Sequence, residues 1–258
     1  MNMVIDNTAI RRICVNVLKQ REVKYAAFNW IISLAMNDAT ASLRYANPLE
    51  LNTTIKRYSM NLCPFPRLCD LLVSEAPIYE QRDGRKISSS VQELTDQVQS
   101  CRYFCADIKP EDGKYFTTVN LYRGHHIPMQ EVDDEIAKVS QKMADDFITW
   151  IPNQRKAAIV GPAPHWTRVS GCLIANTTAM KTMFAVISQR CSKAFEDEKK
   201  LLGVLMKKYE GMEEAEFEEA HKNIQDLITE YQDRQDAVVD LDEYEDDEED
   251  EDDDDEEE

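Results

Sequence analysis

The residues that invite chemistry are few: adjacent His125 and His126, Cys101 with Cys105 four places on, His165 and His221. Side chains four apart on a helix share a face, so the cysteine pair could present two sulfur donors to a soft metal ion. Adjacent histidines point in different directions on any regular element, and core or surface roles suit all four residues better than a metal centre. A nucleophilic triad has no more support. No Gly-x-Ser-x-Gly elbow occurs, and His165 and His221 stand in a Pro-rich loop and on a charged helical segment. Phosphate binding also lacks material, because the seven glycines form neither a Walker-type loop nor a Gly-x-Gly-x-x-Gly turn. Basic residues are scattered, which argues against a nucleic-acid footprint.

The strongest charge signal is at the C-terminus. Glu245 to Glu258 are all acidic, and Asp240 to Glu258 carries 17 carboxylates without a Lys or Arg. Removing that stretch takes the formal net charge from −19 to −2, so the rest of the chain is close to neutral. So dense a block repels itself and is expected to be disordered. Within a Debye length, about 8 Å at physiological salt, it attracts basic, mobile partners and repels nucleic acid. Composition alone leaves a solubilising tail and a docking tail equally open. No stretch reaches the roughly 20 apolar residues of a membrane span, and Met1 to Gln20 lacks a signal-peptide layout, so a soluble intracellular protein is expected. Seven cysteines sit singly in apolar segments such as Ile13-Cys14-Val15, which fits buried thiols in a reducing compartment.

The elements that must position any site follow from apolar spacing. Helices are predicted over Asn7–Leu18, Tyr25–Tyr45, Leu49–Asn61, Val91–Tyr103, Met129–Phe147, Thr178–Phe195, Leu201–Tyr209 and Glu213–Gln235. Strands are predicted over Leu68–Val73, Tyr115–Tyr122, Ala157–Val160 and Val169–Ala175, and an exposed loop over Tyr79–Ser90. The Tyr25–Tyr45 helix is apolar on most faces and should be central. Mixed strands and helices followed by helices alone describe an α/β sheet layered with helices, with a C-terminal helical pair across the outside.

The segment Asn61-Leu-Cys-Pro-Phe-Pro-Arg-Leu68 closely resembles the tubulin signature that joins a helix to the first strand of the intermediate domain. Further matches keep the tubulin order: Ile5-Asp6-Asn7, Leu43-Arg44-Tyr45, Tyr122-Arg123-Gly124, Glu131-Val132-Asp133, Phe147-Ile-Thr-Trp-Ile-Pro-Asn153, Asn176-Thr-Thr-Ala179 and Gly211-Met-Glu-Glu-Ala-Glu-Phe217. The resemblance implies a tubulin-like two-layer intermediate domain, a mixed sheet with helices, over 47–177. It implies antiparallel C-terminal helices over 178–237 and an acidic tail over 238–258. Residues 1–46 would then be a remnant of a nucleotide-binding domain holding the central helix, the Gly-rich loop and most of the GTPase fold lying upstream. Three features resemble the β-type: the short Val160–Gly171 loop, Arg57 at the position of the α-type catalytic glutamate, and an acidic end without a terminal tyrosine.

By the same resemblance, Asn7, Tyr25 and Asn29 match the residues that hold the guanine base of GTP. Tyrosine stacks and the asparagines hydrogen-bond. The site is partial, with Mg2+ expected only if a complete N-terminal domain exists. Arg57 falls at an inter-subunit contact, where arginine cannot serve as a general base at neutral pH. The implied partners are α-tubulin and neighbouring tubulin subunits, with basic microtubule-associated proteins or motors drawn to the acidic tail, no nucleic acid and no membrane. The implied location is the cytoplasm and its microtubule cytoskeleton. The alternative is a non-polymerising, truncated tubulin-like module that recruits basic partners through its tail. Departures from the family pattern include Trp30 in place of a pocket-lining histidine, Ser42 in place of a cysteine, and the loss of His-Trp-Tyr within Glu196–Tyr209, which underlies motor contact in the family.

Overall fold

The computed structural model describes residues 1–45, 54–79, 89–124, 127–164, 167–197 and 214–237. Five strands form one mixed sheet: β1 (Asn2–Val4), β2 (Asp70–Ala76), β3 (Tyr115–Gly124), β4 (Arg155–Val160) and β5 (Val169–Thr177), in the order β1-β2-β5-β3-β4. β5 runs antiparallel between β2 and β3, setting Leu72 opposite Ala175 and Asn120 opposite Leu173. β1 and β4 add in parallel at the two edges, with Met3 beside Leu71 and Asn120 beside Ala157.

The central strands are apolar on both faces, as expected for strands covered on two sides. Leu71, Val73, Val119, Leu121, Cys172 and Ile174 face one layer, formed by α1 (Asn7–Asn16), α2 (Tyr25–Ala39), the short α3 (Ala41–Arg44) and α4 (Ile55–Leu62). Leu72, Ala76, Phe116, Tyr122, Leu173 and Ala175 face the other, formed by α5 (Val91–Gln99) and α6 (Met129–Lys142). α7 (Met180–Asp197) and α8 (Glu214–Asp236) join that second core through Phe184, Leu227 and the fully buried Tyr231. They run antiparallel: Lys181 Nζ donates to Gln232 and Gln235, both at 2.7 Å, while Ser188 and Ser192 further along α7 meet His221 of α8. The sheet with α5 and α6 is thus a two-layer unit, and α1 and α2 close its opposite face.

Several boundaries differ from the periodicity. The helix predicted through Tyr45 breaks at Thr40, whose N–H and hydroxyl both turn to the Met36 carbonyl at 3.2 and 2.7 Å. α6 ends at Lys142 rather than Phe147, and the Phe147 ring instead packs on Tyr115 at 5.2 Å. β2 begins at Asp70 and runs beyond Val73 through Ser74 and Glu75, because pairing with β5 continues across these polar residues. The edge strand β1 has no counterpart in the predicted elements; three residues are too few for a period to register. α5 stops at Gln99, and Cys101–Tyr103 form a separate 3₁₀ turn, so Cys101 and Cys105 do not share a helical face. Cys101 is exposed and Cys105 is buried. The expectations for His125, His126, His165, the Leu201–Tyr209 helix, most of the Tyr79–Ser90 loop and the acidic tail fall outside the described residues.

Candidate functional site

α1 is amphipathic at a period that buries Ala9, Ile10, Ile13 and Cys14. Asn7, Arg11 and Val15 therefore form an outward row, four residues apart, and all three are exposed. On α2, Ile31, Leu34, Ala35 and Asp38 are buried, all of them beyond its first turn. Tyr25, its first residue, is 83% exposed. Among the described residues its ring has one aromatic neighbour, the edge of Phe28, at 6.1 Å and 70°. Asn29 follows one turn later and is also exposed.

Between the outward row of α1 and the start of α2 lies an open depression of about 460 Å³, lined by Arg11, Val15, Arg21, Glu22, Val23, Tyr25 and Phe28. Of the three residues matched to base recognition, Tyr25 lines it. Asn7 lies one turn before Arg11, and Asn29 one turn after Tyr25, on the exposed faces of the same two helices. The arginines had no place in the sequence reading of the site. The clue was available for Arg11, which repeats the Asn7 spacing; Arg21 joins only through the fold of the 17–24 connection. An exposed aromatic face flanked by two guanidinium groups suits a planar, anionic ligand, the ring stacking and the arginines offsetting charge. Among the described residues, no group of three or more His, Cys, Asp or Glu side chains is placed to hold a metal ion.

Arg57 occupies the third position of α4, whose N-terminus is capped by Thr54: the Arg57 N–H donates to Thr54 Oγ1 at 3.3 Å. α4 buries Tyr58 and Leu62 and turns Ile55 and Met60 outward at 69% and 73% exposure, so Arg57 belongs to a surface with apolar character. The opposite side of α4 is firmly anchored. Tyr58 Oη donates to the Ala39 carbonyl at 2.5 Å and lies 2.8 Å from Ser42 Oγ; burial pushes this phenol up to about 12. Ser42 thus ties α3 to α4. Trp30 likewise has a local role, its Nε1 donating to the Tyr79 carbonyl at 3.2 Å.

The mixed sheet and the antiparallel helix pair agree with the intermediate and C-terminal domains of tubulins, and the family model described as the tubulin C-terminal domain matches residues 66–189. The chain belongs to the tubulin family. It is 36% identical over 239 residues to the tubulin beta chain of Saccharomyces cerevisiae, a match covering 93% of this chain and 51% of that relative. It is 35% identical over 242 residues to the tubulin beta-6 chain of Gallus gallus (94% and 53% covered) and 36% identical over 242 residues to the tubulin beta chain of Bombyx mori (94% and 52%). The chain spans about half the length of these relatives. No helix among the described residues is long and apolar enough to cross a membrane.

Proposed function

We propose that the chain is a β-tubulin-like structural constituent of microtubules, pairing with α-tubulin through the α4 surface and meeting a guanine nucleotide at the Tyr25 depression. The observation that carries this reading is the placement of Tyr25. An aromatic ring left 83% exposed at the head of an otherwise well-packed helix contributes little to the core, and it stands beside two arginines with asparagines one turn away on each helix. That arrangement supports base stacking, with Asn7 and Asn29 as hydrogen-bond partners. Residues 1–258 contain no Gly-rich phosphate loop, so affinity for GTP through this surface alone should be weak. Mg2+ enters only where additional phosphate-binding residues complete the site. Arg57 at the α4 surface would leave the neighbouring subunit's nucleotide without a carboxylate to polarise water. The location consistent with this role is the microtubule cytoskeleton of the cytoplasm.

Co-sedimentation with polymerising α- and β-tubulin tests the reading. The chain should enter the pellet in proportion to polymer, and charge reversal at Arg57 should reduce that share. Exclusion from polymer at all concentrations would overturn it. The 17 carboxylates of Asp240–Glu258 favour a second reading, in which the chain recruits basic microtubule-associated proteins or motors without polymerising. By family resemblance, those glutamates are also acceptors for glutamylation.

A further inference from the structure

Beneath α2 the sheet buries two carboxyl groups and a single guanidinium. Asp38 of α2, Glu75 of β2 and Arg123 of β3 are 1%, 3% and 3% exposed. Asp38 accepts three hydrogen bonds, which leaves room for one more on Oδ2. Its Oδ1 takes the Arg123 Nη1 hydrogen bond and one from Asn37 Nδ2 at 2.9 Å, and its Oδ2 takes one from Ser170 Oγ at 2.6 Å. Such a donor set, one member cationic, satisfies an ionised carboxylate. Arg123 gives its remaining terminal nitrogen to the Pro162 carbonyl at 3.0 Å, and its guanidinium lies 5.3 Å from the Tyr45 ring. The Arg123 Nε is buried without a hydrogen-bond partner, and the guanidinium charge offsets only part of what burial and the Asp38 carboxylate do to Glu75. Glu75 Oε2 is buried without a partner, its neighbours being the Asp38 carboxylate and the thiols of Cys105 and Cys172.

We infer that Glu75 is kept protonated in the folded chain, donating its proton to Asp38, and that this shared proton is a pH-sensitive latch holding the C-terminal turn of α2 on the sheet. Two buried carboxylates facing one arginine would carry a net negative charge with no solvent to screen it, whereas one acid and one carboxylate joined by a hydrogen bond balance Arg123. Burial, then the Asp38 charge, raise the Glu75 carboxyl well above the ordinary glutamate range. The groups facing Glu75 come from every element around it: Asp38 from α2, Arg123 from β3, Cys172 from β5, and Cys105 from the connection after the 3₁₀ turn. Both thiols are also pushed up by burial, so neither supplies a competing charge near neutral pH.

The direction of the effect follows. Unfolded Glu75 releases its proton near pH 4.3, while the folded chain holds it, so the latch contributes its full stability below that pH. Above it, each pH unit shifts the folding equilibrium tenfold toward the unfolded chain, until Glu75 ionises in the folded state as well. Glu75→Gln keeps a hydrogen-bond donor toward Asp38 and removes the titration.

The test compares urea unfolding of the 258-residue chain with that of Glu75→Gln between pH 5 and 8. The ratio of their unfolding equilibrium constants should change about tenfold per pH unit, with the wild-type chain losing ground as pH rises. Parallel pH profiles would overturn the inference. Should the variant not fold, infrared spectroscopy of the wild-type chain at neutral pH gives the same decision. A protonated-carboxyl stretch that disappears on unfolding supports the latch, and a spectrum with carboxylate bands alone refutes it.

Discussion

Tyr25 adds little to the folded state, since most of its ring is in water. Tyr25→Ala should therefore leave the thermal midpoint unchanged. It should weaken GTP capture by the factor that one base stack supplies, roughly 1–3 kcal/mol or about 5- to 150-fold. Equilibrium dialysis with GTP at fixed salt measures this, and equal retention by both chains would remove Tyr25 from the site. Arg57 permits a test in the opposite direction. If it faces the neighbour's nucleotide, Arg57→Glu restores a carboxylate there and should raise phosphate release from co-assembled polymer, while the isolated 258-residue chain stays inactive with or without the change. At this scale, motif order points to Asn7, Tyr25 and Asn29, and the fold leaves all three exposed on α1 and α2, with Tyr25 alone of them lining the depression. Arg21 was not legible, because only the packing of α1 against α2 turns the 17–24 connection toward Tyr25. Glu75 was hidden for a different reason. A glutamate beside Ser74 reads as the end of an apolar strand, and its burial follows from β5 pairing past it.

The elements are joined at a few tight places, and Gly113 is one of them. A Cβ there would stand 2.4 Å from the Ala179 backbone nitrogen and 2.6 Å from Thr178 Oγ1. That threonine accepts from the Lys114 N–H at 2.8 Å and donates to Gln235 Oε1 at 2.6 Å, so it links the starts of β3 and α7 to the end of α8. Gly113→Ala should cost about 1–3 kcal/mol and lower the thermal midpoint by several degrees, as read by calorimetry. Alkaline pH acts on the helix–sheet contacts themselves. Burial pushes Tyr58 of α4 and Tyr122 of β3 up to about 12, against 10 for the free phenol. The folded chain holds those protons where the unfolded chain releases them, so stability present below pH 10 should be lost between pH 10 and 12. Denaturation midpoints across that range, with Tyr58→Phe and Tyr122→Phe flattening the slope, check the assignment. Helix existence was legible from the 3.6-residue period, and the capping box of Ser90 and Glu93 marks the start of α5. Helix ends were less so, because the hydroxyl of Thr40 and the packing of Phe147 decide them.

As a whole, the molecule presents apolar surface on its α1–α2 side, where Val15, Tyr25 and Met36 are 44%, 83% and 53% exposed. Apolar surface of this kind normally marks an interface or leads to association. Sedimentation of the isolated chain should therefore show concentration-dependent association; a monodisperse monomer with a sharp two-state melt would contradict this. The acidic stretch should behave as an independent appendage. Deleting Asp240–Glu258 should leave the melt unchanged or slightly improved, while abolishing binding of a polybasic peptide at low salt. For the full chain that binding should itself disappear at 1 M salt, where screening acts within about 3 Å. Equal affinities with and without the tail at both salts would reduce it to a solubility device. The order of elements along the chain was readable from residue spacing, but the order of strands across the sheet was not, since pairing depends on contacts far apart in sequence.

That strand order has a consequence during synthesis. β2 and β3 are both made before β5, yet they are not paired with each other; each pairs with β5, which begins only at Val169. A ribosome that has released residues 1–168 has therefore produced the two flanks of a sheet, β1 with β2 and β3 with β4, without its middle, each flank exposing one unpaired edge of an apolar strand. Contacts of such sequence separation form slowly and leave nascent chains prone to sticking to one another. Stalled chains ending at residue 168 should remain protease-sensitive across 70–76 and 115–124, and protection of both segments should arrive together once 177 has cleared the exit tunnel. Protection of either strand alone, before β5 exists, would mean that the two halves of the sheet fold independently.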